Sequence, residues 1–501
     1  MKRIIALLLA AAVLGCAGAG IAEGGQQAPD YLMEGLDGDS SITRVWEDNL
    51  FFSRMQEKTG ISFQFRQYSD YEMWTGRKEA ILKGEDLPDV LFKASLSADD
   101  IRDMYEAGVI IDLKPYLEEY APDLWALLQE HGDWLEAITT RDGAIPSLPS
   151  FNELQNNDLI WINREWLEKL KLDKPKTAGE LTEVLRRFKT GDPNRNGRSD
   201  EVPLTFIGMW ELRFLGHAFG IIDNDDYIRL EDGKVVSSLT SDSNREFLTW
   251  LHQLWQEGLL DHSGFTTTDS LRQVTDENAT ITYGAMLGPT PLTVVPNAAS
   301  EKYDVLMPLE YNGERKYRDL AGDVALGTFA ITSACREPEK LVSWVNRLYT
   351  EEGSMLAQCG LDGEEYEWNE DGYWEWNYDL TTVAQEILPN NTISEGGTAP
   401  GICPADFQLK YGDAATRRIV EQVYEIKGMS VHPFPYLTLD REDEARINTI
   451  RLELMSWAEQ AMACFVTGDT EMNDETWADF CSTADKKGLT ELMEIWQKYV
   501  R

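Results

Sequence analysis

Asp192, Asn194 and Asn196 stand at alternate positions in GDPNRNGRSDEVPL (residues 191–204), and Gly197 follows. Oxygen-bearing side chains at alternate residues of a tight loop converge on one hard cation, and a glycine permits the sharp turn. These are the spacings of positions 1, 3, 5 and 6 of an EF-hand loop. The bidentate glutamate of position 12 is absent, because Pro203 stands there, and Asp200 and Glu201 fall at positions 9 and 10. The motif therefore describes a divalent-cation loop that closes early. The alternative is a solvated Asn/Gly turn that holds no ion.

A second chemistry is suggested by the 16 tryptophans. Sugars bind through apolar C–H faces stacked on aromatic rings, while polar side chains bond the hydroxyls. Trp46, Trp166, Trp250 and Trp255 fall on helical faces and read as core. Trp210, in FIGMWELR, lies just past a strand end and is the aromatic we single out, with Glu211 beside it. Lys93 and Ser95 sit at the end of another short strand, LPDVLF. The segment PSFNELQ supplies Phe151, Asn152 and Glu153. In YEWNEDGYWEWN, Trp374 and Trp376 alternate and share one side of a strand. They read either as a sugar platform or as cross-strand partners in a hairpin.

Other chemistries lack support. There is no GxSxG, HExxH, P-loop or dinucleotide fingerprint. The five histidines are scattered at 131, 217, 252, 262 and 432, so no zinc spacing exists. A formal net charge of −41 repels phosphate backbones and excludes a nucleic-acid partner. With 87 acidic residues some carboxylate pair is inevitable, so acids alone do not identify a glycoside hydrolase.

The elements that must position these residues alternate between helix and strand. RVWEDNLFFSRMQEKTG is an amphipathic helix ending at Gly60, ISFQFRQY alternates as a strand, and LPDVLF is a short buried strand. TAGELTEVLRRF carries a capping box at Thr177 and Glu180 and leads straight into the cation loop, which is followed by the strand VPLTF. A loop between a helix and a strand is not a true EF-hand. YIRLEDGKVVSS turns as a hairpin at Asp232-Gly233. The whole predicts an α/β protein with parallel strands. At the N-terminus a basic MKR precedes the apolar run IIALLLAAAVLG, which has signal-peptide length, and Cys16 follows. The cysteines after Cys16 number five and show no CxxC spacing, which argues against a complete disulfide framework.

Four stretches together carry a resemblance to a known family. They are LFFSRMQEKTGISFQFRQY, ILKGEDLPDVLF, DLIWINREWLEKLKLDKPKTAGELTEVLRRFKTGDPNRNGRSDEVPL and FCSTADKKGLTELMEIWQKYVR. The chain resembles the extracellular solute-binding proteins of bacterial ABC importers, in the large lipoprotein branch that includes alginate-oligosaccharide binders. The resemblance implies a two-lobed α/β fold of the periplasmic-binding-protein type II class, with the ligand in an interlobe cleft. It implies a structural calcium ion held by Asp192, Asn194, Asn196, the Arg198 carbonyl, Asp200 and Glu201. It implies Trp210 as a sugar contact, since related maltodextrin-type binders present an aromatic there. VLGC resembles a lipobox, with Cys16 lipidated; ordinary cleavage after Ala22 is the alternative.

The expected organisation is a signal peptide and lipoprotein anchor over 1–22 and a first lobe from 37 to 150. A second lobe then runs over 151–315, with a return to the first over 316–395 and a helical remainder of the second lobe over 396–501. The expected function is capture of an oligosaccharide, neutral rather than acidic, by a monomer anchored on the outer face of the bacterial cytoplasmic membrane. That monomer delivers its solute to the permease subunits and is not an enzyme. A secreted glycoside hydrolase and a receptor for a peptide-like solute are the competing readings.

Overall fold

The computed structural model describes residues 30–37, 45–154, 158–276, 278–319, 323–412 and 414–500. The anchor reading at Cys16 and the leader 1–22 lie outside the described residues.

Two sheets, each with its own core, build two lobes. In the first lobe six strands run in the order Gly401–Cys403, Leu148–Asn152, Val324–Ile331, Val90–Phe92, Tyr31–Leu36 and Phe63–Tyr68. The strands of 31–36, 63–68 and 90–92 are parallel, while 324–331 runs antiparallel to both its neighbours. Val90, Leu91 and Phe92 are all wholly buried. A continuous apolar run is what a strand covered on both faces requires. Helices pack on the sheet and enclose Phe51, Phe92, Leu124, Phe151 and Trp344 in one core. In the second lobe a four-stranded sheet, ordered Tyr303–Val305, Leu159–Asn163, Tyr283–Gly288 and Val202–Thr205, carries a separate core that includes Trp161, Phe188, Leu248 and Leu454. The long helix Arg441–Thr467 belongs to this second core.

Local signals are realised with small adjustments. Thr177 accepts from the Glu180 amide at 3.2 Å and starts the helix Ala178–Thr190. The Glu180 carboxylate, however, reaches back to the Lys176 amide at 2.8 Å, one residue earlier than a capping box requires. The hairpin forms between Ile228–Glu231 and Lys234–Ser237, with Asp232 at φ 49° and Gly233 at φ 76°. Both positive values suit a two-residue turn of matching twist.

The chain crosses between the lobes three times, and strand pairing corrects the boundaries drawn from sequence. Phe151 and Asn152, assigned above to the second lobe, are paired in the first sheet with Val324, Ile402 and Cys403. Tyr317, assigned to the first lobe, is buried in the second core, so that crossing lies between Arg318 and Val324. The last crossing comes after Cys403, not near 395, because Gly401–Cys403 completes the first sheet. Composition does not mark these points; hydrogen-bonded partners distant in sequence do. All five described cysteines, Cys335, Cys359, Cys403, Cys464 and Cys481, are free thiols.

One glycine fixes the cleft edge of the first sheet. The register of Val324–Ile331 shifts between Ala325 and Phe329, and within this bulge Gly327 adopts φ 70°. Its carbonyl accepts the Leu96 amide at 3.0 Å. A Cβ at Gly327 would lie 2.0 Å from the Leu96 carbonyl oxygen. The left-handed backbone and the backbone clash both forbid a side chain. Gly327→Ala is therefore expected to destabilise the protein by about 3 kcal/mol or more. Chemical denaturation checks this, and an unchanged midpoint would refute the account.

Candidate functional site

A cavity of about 820 Å³ opens on the second lobe beside the first two crossings. Its floor begins with Trp210, on the short helix Gly208–Leu212 that follows the strand Val202–Thr205. Glu211 aims the opposite way and is buried. Its carboxylate accepts the Ile207 amide at 2.5 Å and two bonds from the Arg272 guanidinium, at 2.9 and 3.1 Å. This pair, inside the second lobe, clamps the turn of helix that leaves Trp210 47% exposed at the cavity wall. Burial pushes the Glu211 carboxyl up while Arg272 pulls it down.

Two arginines line the same cavity, each pre-stacked on a ring. Arg213 lies 3.8 Å from the Tyr227 ring centroid and donates to the Asn224 carbonyl at 2.8 Å. Arg318 lies 4.2 Å from the Phe214 centroid and donates to the Asp223 carbonyl at 3.2 Å. Burial, and then the neighbouring Arg213, lower Arg318 to about 9. It stays a cation at neutral pH. Tyr227 adopts φ 59° and donates its hydroxyl to Glu459 at 2.9 Å. Burial raises both Glu459 and Asp158, which also face the cavity. The wall therefore alternates aromatic faces, guanidinium donors and carboxylate acceptors. Such a surface matches a ring that is apolar on its faces and carries hydroxyls at its edge.

The other sequence candidates lie elsewhere. Lys93 is buried, with Nζ donating to Asp37 at 3.0 Å and to the Glu395 carbonyl. Its charge is committed to holding a strand end and does not reach the cavity. Ser95 is exposed at the same strand end, at φ 48°. Phe151 is wholly buried and stacked on Trp134 at 4.3 Å, so it offers no face to a solute. Asn152 accepts from Gln408 at 3.0 Å and Glu153 from the Ala405 amide at 2.7 Å. They tie the first crossing to the third. Trp374 is buried, stacked on Phe407 at 4.8 Å, with Trp376 edge-on at 5.6 Å. These two close a small separate core under the hairpin Tyr366–Trp368/Trp374–Trp376. Sequence reasoning missed Arg318, Phe214 and Tyr227 as cavity residues; only the positive φ of Tyr227 is unusual, and no motif marks them.

The loop 192–201 joins the helix Ala178–Thr190 to the strand that leads to Trp210. Asp192 accepts the Asn196 and Gly197 amides at 3.0 and 3.2 Å. The Asn196 side-chain amide donates to both oxygens of Asp200, at 2.9 and 3.0 Å. Glu201 has a buried carboxylate oxygen, Oε1, without a partner. Burial, then the charges of Asp200 and Asp192, push the Glu201 carboxyl up. A partnerless buried oxygen beside two further carboxylates suits a hard cation.

At the second crossing Lys427 donates to Asp319 and Asp323, both at 2.6 Å, and His432 stands 3.7 Å from Asp323. Among the described residues Asp319, Asp323 and His432 are the one set of three His, Cys, Asp or Glu side chains whose ligand atoms all lie within 4.8 Å of one another. The Lys427 ammonium already offsets one of the two carboxylate charges of that group. The short parallel pair Tyr317–Arg318 and Ser430–Val431 supports it. Asp323 raises the His432 imidazole above its ordinary value. A raised folded-state pKa contributes stability that is fully present below the unfolded value and lost as pH rises through the folded one. His432→Gln should thus lower the melting temperature at pH 5.5 and match the wild type at pH 8.5. Equal melting at both values would contradict the pairing.

No family model matches the chain. It is 28% identical to the fructooligosaccharide ABC transporter substrate-binding protein FusA of Streptococcus pneumoniae serotype 4, over 99% of this chain and 97% of the relative. The structure of S. pneumoniae FusA in complex with kestose superposes with a TM-score of 0.69 at 25% identity, covering 93% of this chain and 97% of FusA. A FusA EF-hand mutant in complex with fructo-nystose gives the same score, identity and coverage. An HMO-binding solute-binding protein of Bifidobacterium longum infantis shares the fold, with a TM-score of 0.74 at 21% identity over 93% and 97% of the two chains.

Proposed function

We propose, from the chain's homology to an ABC-transporter substrate-binding protein, that it captures an oligosaccharide and hands it to a membrane permease, binding the solute without chemical turnover. The observation that carries the reading is the cavity in which exposed Trp210 faces the ring-stacked Arg213 and Arg318 and the acids Asp158 and Glu459. The solute class is a neutral glycan. Two guanidiniums are balanced there by three carboxylates, Asp158, Asp225 and Glu459, so no net positive charge favours a uronate. The protein acts as a monomer anchored through lipidated Cys16 on the outer face of the cytoplasmic membrane. N-terminal sequencing of the mature chain is the check on that anchor.

Loop 192–201 holds a calcium ion in this reading. Asp192, Asn194, Asn196, the Arg198 carbonyl, Asp200 and Glu201 supply the oxygens. The ion would offset two of the three carboxylate charges and stiffen the helix-to-strand turn. The FusA EF-hand mutant supports such a loop in a homologue. A cation bound only by the folded state stabilises it by about 2.7 kcal/mol at a hundredfold excess over its dissociation constant. Chelation is expected to lower the melting temperature of the wild type and to leave Asp192→Ala unmoved. If chelator changes neither protein and the purified chain carries no metal, the loop is an ordinary turn.

Trp210→Ala is expected to weaken capture of a neutral oligosaccharide such as kestose by about 2 kcal/mol, roughly thirtyfold, with the fold intact. Calorimetry on kestose and on a uronate oligomer checks both the residue and the solute class. Wild-type binding of the uronate alone would overturn the neutral-glycan reading. Release of reducing ends would overturn the reading of capture without turnover.

A further inference from the structure

The three carboxylates in the cavity wall are not equivalent. Glu459 accepts the Tyr227 hydroxyl at 2.9 Å and lies 3.7 Å from Arg213. Asp225 lies 4.0 Å from Arg213, and its side chain is 79% exposed, so water screens it. Asp158 differs from both. Among the described residues no group bonds its carboxylate, and the Tyr317 hydroxyl donates to its carbonyl instead. The residue is half-buried, and burial pushes its carboxyl up. Against that, Arg272 pulls the carboxyl down, Asp269 pushes it up and Arg318 pulls it down. A partly desolvated acceptor with both oxygens unbonded is costly until something supplies the donors.

The second sheet fixes where this acceptor stands. Asp158 ends the first crossing and leads into the strand Leu159–Asn163. Leu159 pairs with Gly288, the last residue of the strand Tyr283–Gly288. On the other side of that strand Val202–Thr205 runs parallel to it and leads to Trp210. Asp158 and the segment that carries Trp210 therefore leave the same edge of the sheet, with one strand between them. Strands two places apart are separated by about 10 Å. An aromatic face and an anionic group thus border one space. A carboxylate accepts only, and its two oxygens take two hydroxyl donors at once. Hydrogen bonds to an anion are stronger than those to a neutral acceptor, and the same charge repels a uronate.

We propose that Asp158 is the anchoring acceptor of the solute. Its ionised carboxylate takes hydroxyls of the sugar chain stacked on Trp210 and sets the preference for an uncharged, hydroxyl-rich unit. This rests on the reading of the chain as an oligosaccharide receptor and names the group that makes capture depend on a charge.

Calorimetry with kestose, fructo-nystose and maltotriose at pH 7.5 and at pH 4.5 tests it. Asp158→Asn is close to the wild type in shape. It should bind the tightest of these sugars roughly thirtyfold more weakly than the wild type at pH 7.5. The gap should narrow at pH 4.5, because a protonated carboxyl resembles the amide. The sign follows from the chemistry: hydroxyl donors favour the ionised form, so the wild type's advantage is present above the carboxyl's free-state value and lost below it. The neighbouring Glu211, Asp269, Arg272, Tyr317 and Arg318 are common to both proteins, so their own titration largely cancels in the ratio. Asp158→Ser should be weakened in the same way and serves should Asp158→Asn fail to fold. Variants that bind like the wild type at pH 7.5, or a ratio that does not change with pH, would overturn the anchor and leave capture standing. A wild type that binds none of the three sugars would overturn capture and the anchor together.

Discussion

The structure depends on a topological constraint: the chain passes between two lobes three times, and hydrogen bonds and ion pairs hold these passages in place. Asn152 and Glu153 bind the first passage to the third through Gln408 and the Ala405 amide. Lys427 and His432 bind the second passage to the strand pair beside it. Relative motion of the lobes must then pass through a few backbone torsions in these segments, which is how hinge closure works in two-lobed receptors. The cavity gains from this placement. Asp158 and Arg318 line it and stand at the edges of the first and second passages, so the cavity wall is continuous with the segments that bend.

Electrostatics in the cavity run against the whole-chain balance. A chain of −41 nonetheless places Arg213 and Arg318 in its pocket, each held flat on a ring. Stacking fixes the plane of each guanidinium against its ring. The carboxylates of Asp158 and Glu459 are partly desolvated by the same wall, which strengthens the bonds they accept.

Much of this was legible in the residue pattern. Alternating elements, the helix before loop 192–201 and the exposed position of Trp210 after its strand all follow from local signals. The partners that decide a side chain's fate are not local. Lys93 looks available until Asp37, paired across parallel strands, takes its charge. Glu211 looks like a solute contact until Arg272 claims it. Trp374 alternates with Trp376 as a platform would, yet Phe407 covers it from another segment. Arg318 escaped notice for the same reason: its stacking ring, Phe214, lies on the far side of the loop and sheet that separate them in sequence. The final crossing was drawn too early because a three-residue strand, Gly401–Cys403, has too little pattern to be recognised.

The free thiols have a consequence for the chain's reactivity. Burial raises Cys335 and Cys403 to about 11 and Cys359 well above its ordinary value. At neutral pH a thiol of that acidity is a thiolate about one time in ten thousand. Oxidants and disulfide reagents attack the thiolate, so these sulfurs are chemically quiet in the folded state. The described fold is complete without a covalent cross-link. Its described residues are held by packing and hydrogen bonds, with no cysteine bridge among them.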